Sequence, residues 1–78
     1  MMPIAAKQLL ADATAADVAA VPDDASIGSF ERWDSLAHMR LILAVEHRLG
    51  RQLEPDEIVH IETLGDVASL LSGRTLGK

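Results

Sequence analysis

Residues 33–49 read WDSLAHMRLILAVEHRL, and this stretch decides the fold because it has the strongest helical pattern in the chain. Asp34 is a favourable N-cap residue, since its carboxylate can accept hydrogen bonds from the free backbone N–H groups of a first helical turn. Gly50 suits the position just after a helix, where the left-handed conformation is common. The sequence therefore predicts a helix over residues 35–49, with Ser35 in its first turn.

This helix has two apolar sectors when its residues are placed about 100° apart. The first is predicted to face the core, with His38 near its upper end; its apolar members are Leu41, Ile42, Val45 and Leu49. We define the second sector as Leu36, Met39, Arg40, Leu43, Glu46 and His47. A surface helix of a small bundle needs only one apolar stripe. The second sector is therefore either buried, if the helix is central, or exposed as a docking surface beside Ser35, and we expect docking.

A first helix is predicted over about residues 3–16, and a long loop follows it. Alanine is abundant in the helix and Pro3 suits its first position. Its thin apolar face is expected to consist of Ile4, Ala5, Leu9 and Ala13. The loop is rich in turn residues, and Val21, Ile27 and Phe30 are expected to pin it to the fold. A loop of this length in a compact domain is itself a hint of function.

Two shorter helices are predicted after Gly50. Pro55 suits the first position of a helix over residues 55–61, which Ile58 and Ile61 would anchor. Thr63 and Asp66 have the spacing of a capping box, which predicts a last helix over residues 63–71. Residues 72–78 are expected to form a tail. The fold class is therefore all-α, a small four-helix bundle with a long first loop and a short third helix, in a single domain of 78 residues.

Composition and charge exclude several classes of function. The net charge of −5 argues against nucleic acid and anionic membrane surfaces, which attract basic proteins. There is no cysteine, so disulfides and thiolate metal sites are absent, and no stretch has the length of a membrane span. So short a chain has little room for both a substrate pocket and catalytic groups. We expect a monomeric cytoplasmic protein that is not an enzyme and that binds other proteins.

The histidines and acids are the other candidate site residues. His38 and His47 lie nearly half a turn out of phase on one helix, and His60 has no third ligand nearby, so no metal site is predicted. Ser35 and His38 could suggest a nucleophile and its base, but nothing supplies an oxyanion hole. We expect Trp33 to pack against the loop and the end of the bundle. Four acids of the third-helix region are expected to form a solvated face: Glu54, Asp56, Glu57 and Glu62.

Several segments together resemble the acyl carrier protein family. Asp34-Ser35-Leu36 looks like its DSL signature at the start of the second helix, and residues 41–46, LILAVE, look like the body of that helix. Residues 53–57, LEPDE, look like the start of the family's third helix, and residues 63–67, TLGDV, like the start of its fourth. The resemblance covers about residues 27–71 well and the first helix loosely.

The resemblance implies a function. A phosphopantetheinyl transferase would move 4′-phosphopantetheine from coenzyme A, with magnesium, onto the Ser35 hydroxyl, which makes the chain a phosphoprotein. The thiol of the arm would hold acyl groups as thioesters and present them to acyl-loading and acyl-processing enzymes, as in fatty acid or polyketide biosynthesis. Asp34 and Leu36 would flank the attachment site, and the second sector would contact partners.

The chain also departs from that family. Fatty-acid carriers have an acid-rich second helix, whereas residues 31–49 contain three acids and three arginines here. This favours a specialised carrier with dedicated partners over a housekeeping one. The alternatives are an aminoacyl or peptidyl carrier, although its Gly-Gly-x-Ser pattern is absent, and an unmodified helical interaction module. A helix-turn-helix DNA binder is disfavoured by the net charge.

Overall fold

The computed structural model describes residues 4–73, and within them the secondary structure is helical. Four α-helices follow one another: α1 (Ile4–Thr14), α2 (Ser35–Leu49), α3 (Pro55–His60) and α4 (Leu64–Leu71). A single 3₁₀ turn, Val18–Ala20, lies in the first loop and was not predicted. Residue 3 of the predicted first helix and residues 74–78 of the predicted tail lie outside the described residues. The all-α bundle with a short third helix is confirmed.

Helix α1 packs against both α2 and α4, and α2 also contacts α4. The largest buried apolar side chains come from these three helices and from the loops: Leu10, Trp33, Leu41, Val45, Ile61, Leu64, Val67 and Leu70. The predicted core sector of α2 is confirmed for Leu41, Ile42 and Val45, while Leu49 is half-buried. The core is thus aliphatic except for one indole ring.

The expected apolar face of α1 is confirmed for Ala13 and wrong for Ile4, while Ala5 and Leu9 are half-buried. Ile4 is 65% exposed, whereas Ala6 and Leu10 are fully buried. The buried face of α1 consists mainly of alanines around Leu10, so side-chain size alone does not decide which face turns inward. The helix also ends earlier than predicted, because Ala15 adopts a positive φ of 57° and the Ala16 N–H donates to the Ala11 carbonyl at 2.9 Å.

The helix ends follow local chemistry. Gly50 has a φ of 71° and closes α2, as predicted. Thr63 is the N-cap of α4 rather than its first residue, and it forms the predicted capping box with Asp66: the Asp66 N–H donates to Thr63 Oγ1 at 3.1 Å and the Thr63 N–H donates to Asp66 Oδ2 at 3.0 Å. Pro55 occupies the start of α3, which ends at His60 rather than Ile61.

The first loop is tied to the connection between α3 and α4. The Ile27 N–H donates to the Glu62 carbonyl at 3.0 Å, and the Leu64 N–H donates to the Ala25 carbonyl at 2.9 Å. Of the three residues expected to pin the loop, Val21 is buried and Phe30 half-buried, but Ile27 is 42% exposed. These contacts hold the loop beside the start of α2, where it forms one wall of the clefts described below.

Candidate functional site

Asp34 lies directly before α2 and caps its first turn. Its backbone is extended, with φ −95° and ψ −173°, and its Oδ1 accepts a hydrogen bond from the Ala37 N–H at 2.9 Å. The Asp34 carbonyl accepts the first intrahelical bond, from the His38 N–H, at 2.8 Å. Asp34 is therefore the N-cap that the sequence predicted, and it places Ser35 at the first helical position.

Ser35 is exposed, and among residues 4–73 no group is hydrogen-bonded to its hydroxyl. The first turn of α2 contains no acidic residue. Aligned backbone dipoles give this end of a helix partial positive charge, which favours an anion such as a phosphate. The position thus combines an accessible hydroxyl with a helix end whose N–H groups favour an anion, beside the carboxylates of Asp34 and Glu31.

An open cleft of about 540 Å³ lies beside this serine. We name it the Ser35 cleft; its lining residues are Ile27, Glu31, Trp33, Asp34, Ser35 and His38. A second cleft of about 600 Å³ lies between the first loop and α3, and we name it the α3 cleft. Ile27 and His38 line both clefts, so the two spaces adjoin.

Trp33 and His38 form a hydrogen-bonded pair at this junction. Trp33 is only 1% exposed, and its Nε1–H donates to His38 Nδ1 at 3.0 Å. The two rings are stacked, with centroids 6.1 Å apart and an interplanar angle of 29°. Trp33 is buried in the core, in agreement with its predicted packing role. The pair itself was not predicted. The sequence signal for it was the spacing of Trp33 and His38, which are five residues apart across the start of a helix.

The model of the phosphopantetheine attachment site family matches residues 5–71, which is most of the chain. The chain belongs to this family. Its members carry a covalently attached 4′-phosphopantetheine and are carriers rather than enzymes. Comparison with curated proteins finds no similar sequence. Carrier domains interact with transferases and with biosynthetic enzymes.

The start of α2 in this carrier domain fits the prosthetic group. The Ser35 hydroxyl is exposed, the first turn of α2 is free of acids, and an open cleft adjoins the serine. The arm supplies a thiol for thioester chemistry, which a chain without cysteine does not have. The carrier's own residues contribute position and electrostatics around the serine.

The second sector of the carrier is largely exposed. Leu36, Met39 and Leu43 are 57%, 62% and 60% exposed, and Arg40 and His47 are exposed with them. Of the two options that the sequence left open, burial is therefore wrong for these side chains. Glu46 differs from the rest, because it is half-buried and its Oε2 accepts the Leu53 N–H at 2.8 Å. Its carboxylate helps to hold the connection between α2 and α3.

The expected solvated acidic face is wrong for Glu57. Its side chain is only 2% exposed, and it accepts hydrogen bonds from Arg51 Nη1 and Nη2 at 3.0 Å each and from the Glu54 N–H at 2.9 Å. These bonds lower the pKa of Glu57 from 4.5 to about 2, with the Arg51 contact as the largest cause. The signal was its place as the third residue of the helix that begins at Pro55, where an acid can reach back to the N-cap backbone.

The other candidate site residues, the histidines and the acids, do not form a metal site in the part of the chain that the structure describes. Within residues 4–73 no group of three or more histidine, aspartate or glutamate side chains could hold a metal ion. His60 Nδ1 lies 2.6 Å from the Asp56 carbonyl oxygen, within its own helix. None of the helices in residues 4–73 has the length and hydropathy to cross a bilayer.

Proposed function

We propose that this chain is an acyl carrier protein of the cytoplasm, and that the Ser35 hydroxyl is its attachment point for 4′-phosphopantetheine. The observation that supports this most directly is the exposed Ser35 at the first position of α2, directly after an N-cap aspartate, within the matched family segment. The arm's thiol holds acyl groups as thioesters, and the carrier delivers them to partner enzymes.

Attachment is tested by intact-mass measurement. The chain is incubated with coenzyme A, magnesium and a broad-range phosphopantetheinyl transferase, and one adduct of the prosthetic group is expected. Ser35→Ala should abolish the adduct. Ser72→Ala is the matched control, because this exposed serine lies at the far end of α4 and its replacement should leave the adduct unchanged. No adduct on the wild-type chain, or an adduct on Ser35→Ala, contradicts the proposal.

The partner surface is the second sector. Three large apolar side chains, Leu36, Met39 and Leu43, project into solvent beside the attachment serine. Arg40 and His47 are exposed within the sector, and Arg48 is exposed next to it. An exposed apolar patch with basic neighbours is complementary to an apolar groove with an acidic rim. We therefore propose dedicated partner enzymes whose docking sites are more acidic than those that serve acid-rich fatty-acid carriers.

An acyl cargo is favoured over an aminoacyl or peptidyl one by the Asp34-Ser35-Leu36 sequence and by Arg32-Trp33, which stand where a peptidyl carrier has Gly-Gly. The test offers the loaded carrier to acyl and amino-acid activating enzymes in parallel and records the mass of each product. Acyl transfer without aminoacylation is expected. Aminoacylation without acylation contradicts the acyl assignment but not the attachment at Ser35.

An unmodified interaction module would use the same apolar side chains without the serine. The two functions are separated by a pair of variants. In a carrier, Ser35→Ala abolishes function, and Leu43→Asp weakens transfer by partners while leaving the adduct in place. In an unmodified module, Ser35→Ala keeps partner binding and only Leu43→Asp removes it.

A further inference from the structure

The bond between Trp33 and His38 defines the tautomer of the histidine. An indole N–H can only donate a hydrogen bond, so His38 Nδ1, at 3.0 Å from Trp33 Nε1, is the acceptor. The proton of the neutral imidazole is therefore on Nε2. Trp33 is fully enclosed by the core, so the donor is held in place by packing rather than by a flexible side chain.

His38 Nε2–H is a donor without a protein partner among residues 4–73. His38 is half-buried, and in this part of the chain no buried side-chain nitrogen or oxygen lacks a hydrogen bond. Nε2 is therefore reached by solvent, and the spaces that the His38 side chain lines are the Ser35 cleft and the α3 cleft. The histidine thus has a solvent-accessible N–H group, and it is one of the residues that line both clefts.

The position of His38 on α2 relates it to Ser35. Residues three apart lie on the same side of a helix, and helical side chains lean toward the N-terminus, so the ring of His38 leans toward the turn that contains Ser35. The contact with Trp33, which precedes that turn, agrees with this direction. Glu31 and Asp34 also line the Ser35 cleft, and they supply only negative charge. His38 is the side chain of this cleft with a free N–H to offer an anion.

We propose that His38 is a positioning residue for the prosthetic group: its Nε2–H donates a hydrogen bond to an oxygen of the phosphodiester on Ser35, and Trp33 holds the ring in the required tautomer. The inference rests on the proposed attachment at Ser35. It gives the buried indole a role in holding His38 in the donor tautomer, in addition to its packing in the core.

The test uses the ¹⁵N-labelled full chain before and after loading by the transferase. Ring ¹⁵N resonances should show the Nε2–H tautomer of His38 in both forms, and loading should shift the Nε2 resonance of His38. The rings of His47 and His60 are internal controls, because neither lines the Ser35 cleft. The ³¹P resonance of the loaded chain should move in His38→Phe, and it should stay in place in His47→Phe.

Trp33→Phe provides a second variant, because it keeps an aromatic ring in the core but removes the N–H donor. We expect His38 to lose its single tautomer and the ³¹P resonance to move toward that of His38→Phe. If either variant fails to fold, the ring resonances of the wild-type chain decide. A loaded wild-type chain whose His38 Nε2 resonance equals that of the unloaded chain overturns this inference alone. Absence of any adduct overturns it together with the proposed attachment.

Discussion

The Arg51 guanidinium and the Glu57 carboxylate form a two-point ion pair, with Nη1 to Oε1 and Nη2 to Oε2 distances of 3.0 Å each. Arg51 reaches solvent, whereas Glu57 is almost completely enclosed. The pair joins the segment after α2 to the first turn of α3. It therefore holds the short helix α3 that forms a wall of the α3 cleft.

Glu57→Gln should destabilise the fold. The amide keeps the volume of the side chain but cannot accept both bonds from Arg51, and an unsatisfied buried polar group costs about 1–3 kcal/mol. The measurement is the free energy of unfolding in urea. Glu62→Gln is the matched control, since Glu62 is exposed and its replacement should change stability by no more than about 0.5 kcal/mol. Equal stabilities of the two variants would contradict the structural role of Glu57.

The lowered pKa of Glu57 predicts that the stability of the fold depends on pH. The pKa of this carboxyl is lowered from 4.5 to about 2 in the folded chain, chiefly by Arg51 and then by the Glu54 N–H. A group whose pKa is depressed by folding stabilises the fold above its unfolded pKa and loses that contribution as pH falls toward the folded pKa. The difference in unfolding free energy between wild type and Glu57→Gln should therefore be constant above about pH 5. It should shrink as the pH falls from 4.5 to about 2. A difference that grows on acidification would reverse the sign and contradict the prediction.

Asp34 offers a test that separates helix capping from recognition by the transferase. Asp34→Ala should lower the free energy of unfolding by about 1 kcal/mol, because the Ala37 N–H loses its side-chain acceptor. Asp34→Asn keeps an acceptor oxygen and should retain nearly all of the stability. We expect both variants to be loaded more slowly than wild type, as followed by intact mass over time. If Asp34→Asn is loaded at the wild-type rate, the role of Asp34 is limited to helix capping.

The arginines of α2 predict poor loading by a malonyl transferase of fatty-acid synthesis. Arg40 and Arg48 are exposed on α2, so they would repel a basic docking site that is built for an acid-rich carrier helix. The double variant Arg40→Glu/Arg48→Glu should be loaded faster, by about tenfold if roughly 1.4 kcal/mol of repulsion is removed. Arg40→Lys/Arg48→Lys keeps the charge and should stay slow. Efficient loading of the wild-type chain would remove the argument for dedicated partners.

Much of the fold could be predicted because its determinants are local. Asp34 and Gly50 mark the two ends of α2, Pro55 marks the start of α3, and Thr63 with Asp66 marks the start of α4. Each acts on backbone groups within a few residues, so sequence spacing was sufficient. The end of α1 was placed too late, because Ala15 adopts a left-handed conformation that alanine rarely has and that no local signal indicated.

The candidate site, like the fold, could be predicted from the sequence only in part. The sequence by itself determined where Ser35 lies, since an N-cap and a helical pattern define the first turn of α2. Only the tertiary structure decided which side chains surround it: Trp33 turns inward and binds His38, and Ile27 lines both adjoining clefts. Away from this site, tertiary packing also decided the burial of Glu57, which pairs with Arg51. These relationships depend on how loops and helices pack against one another. Periodicity along one helix describes that helix's faces, but the neighbours that cover or expose each face come from distant parts of the chain.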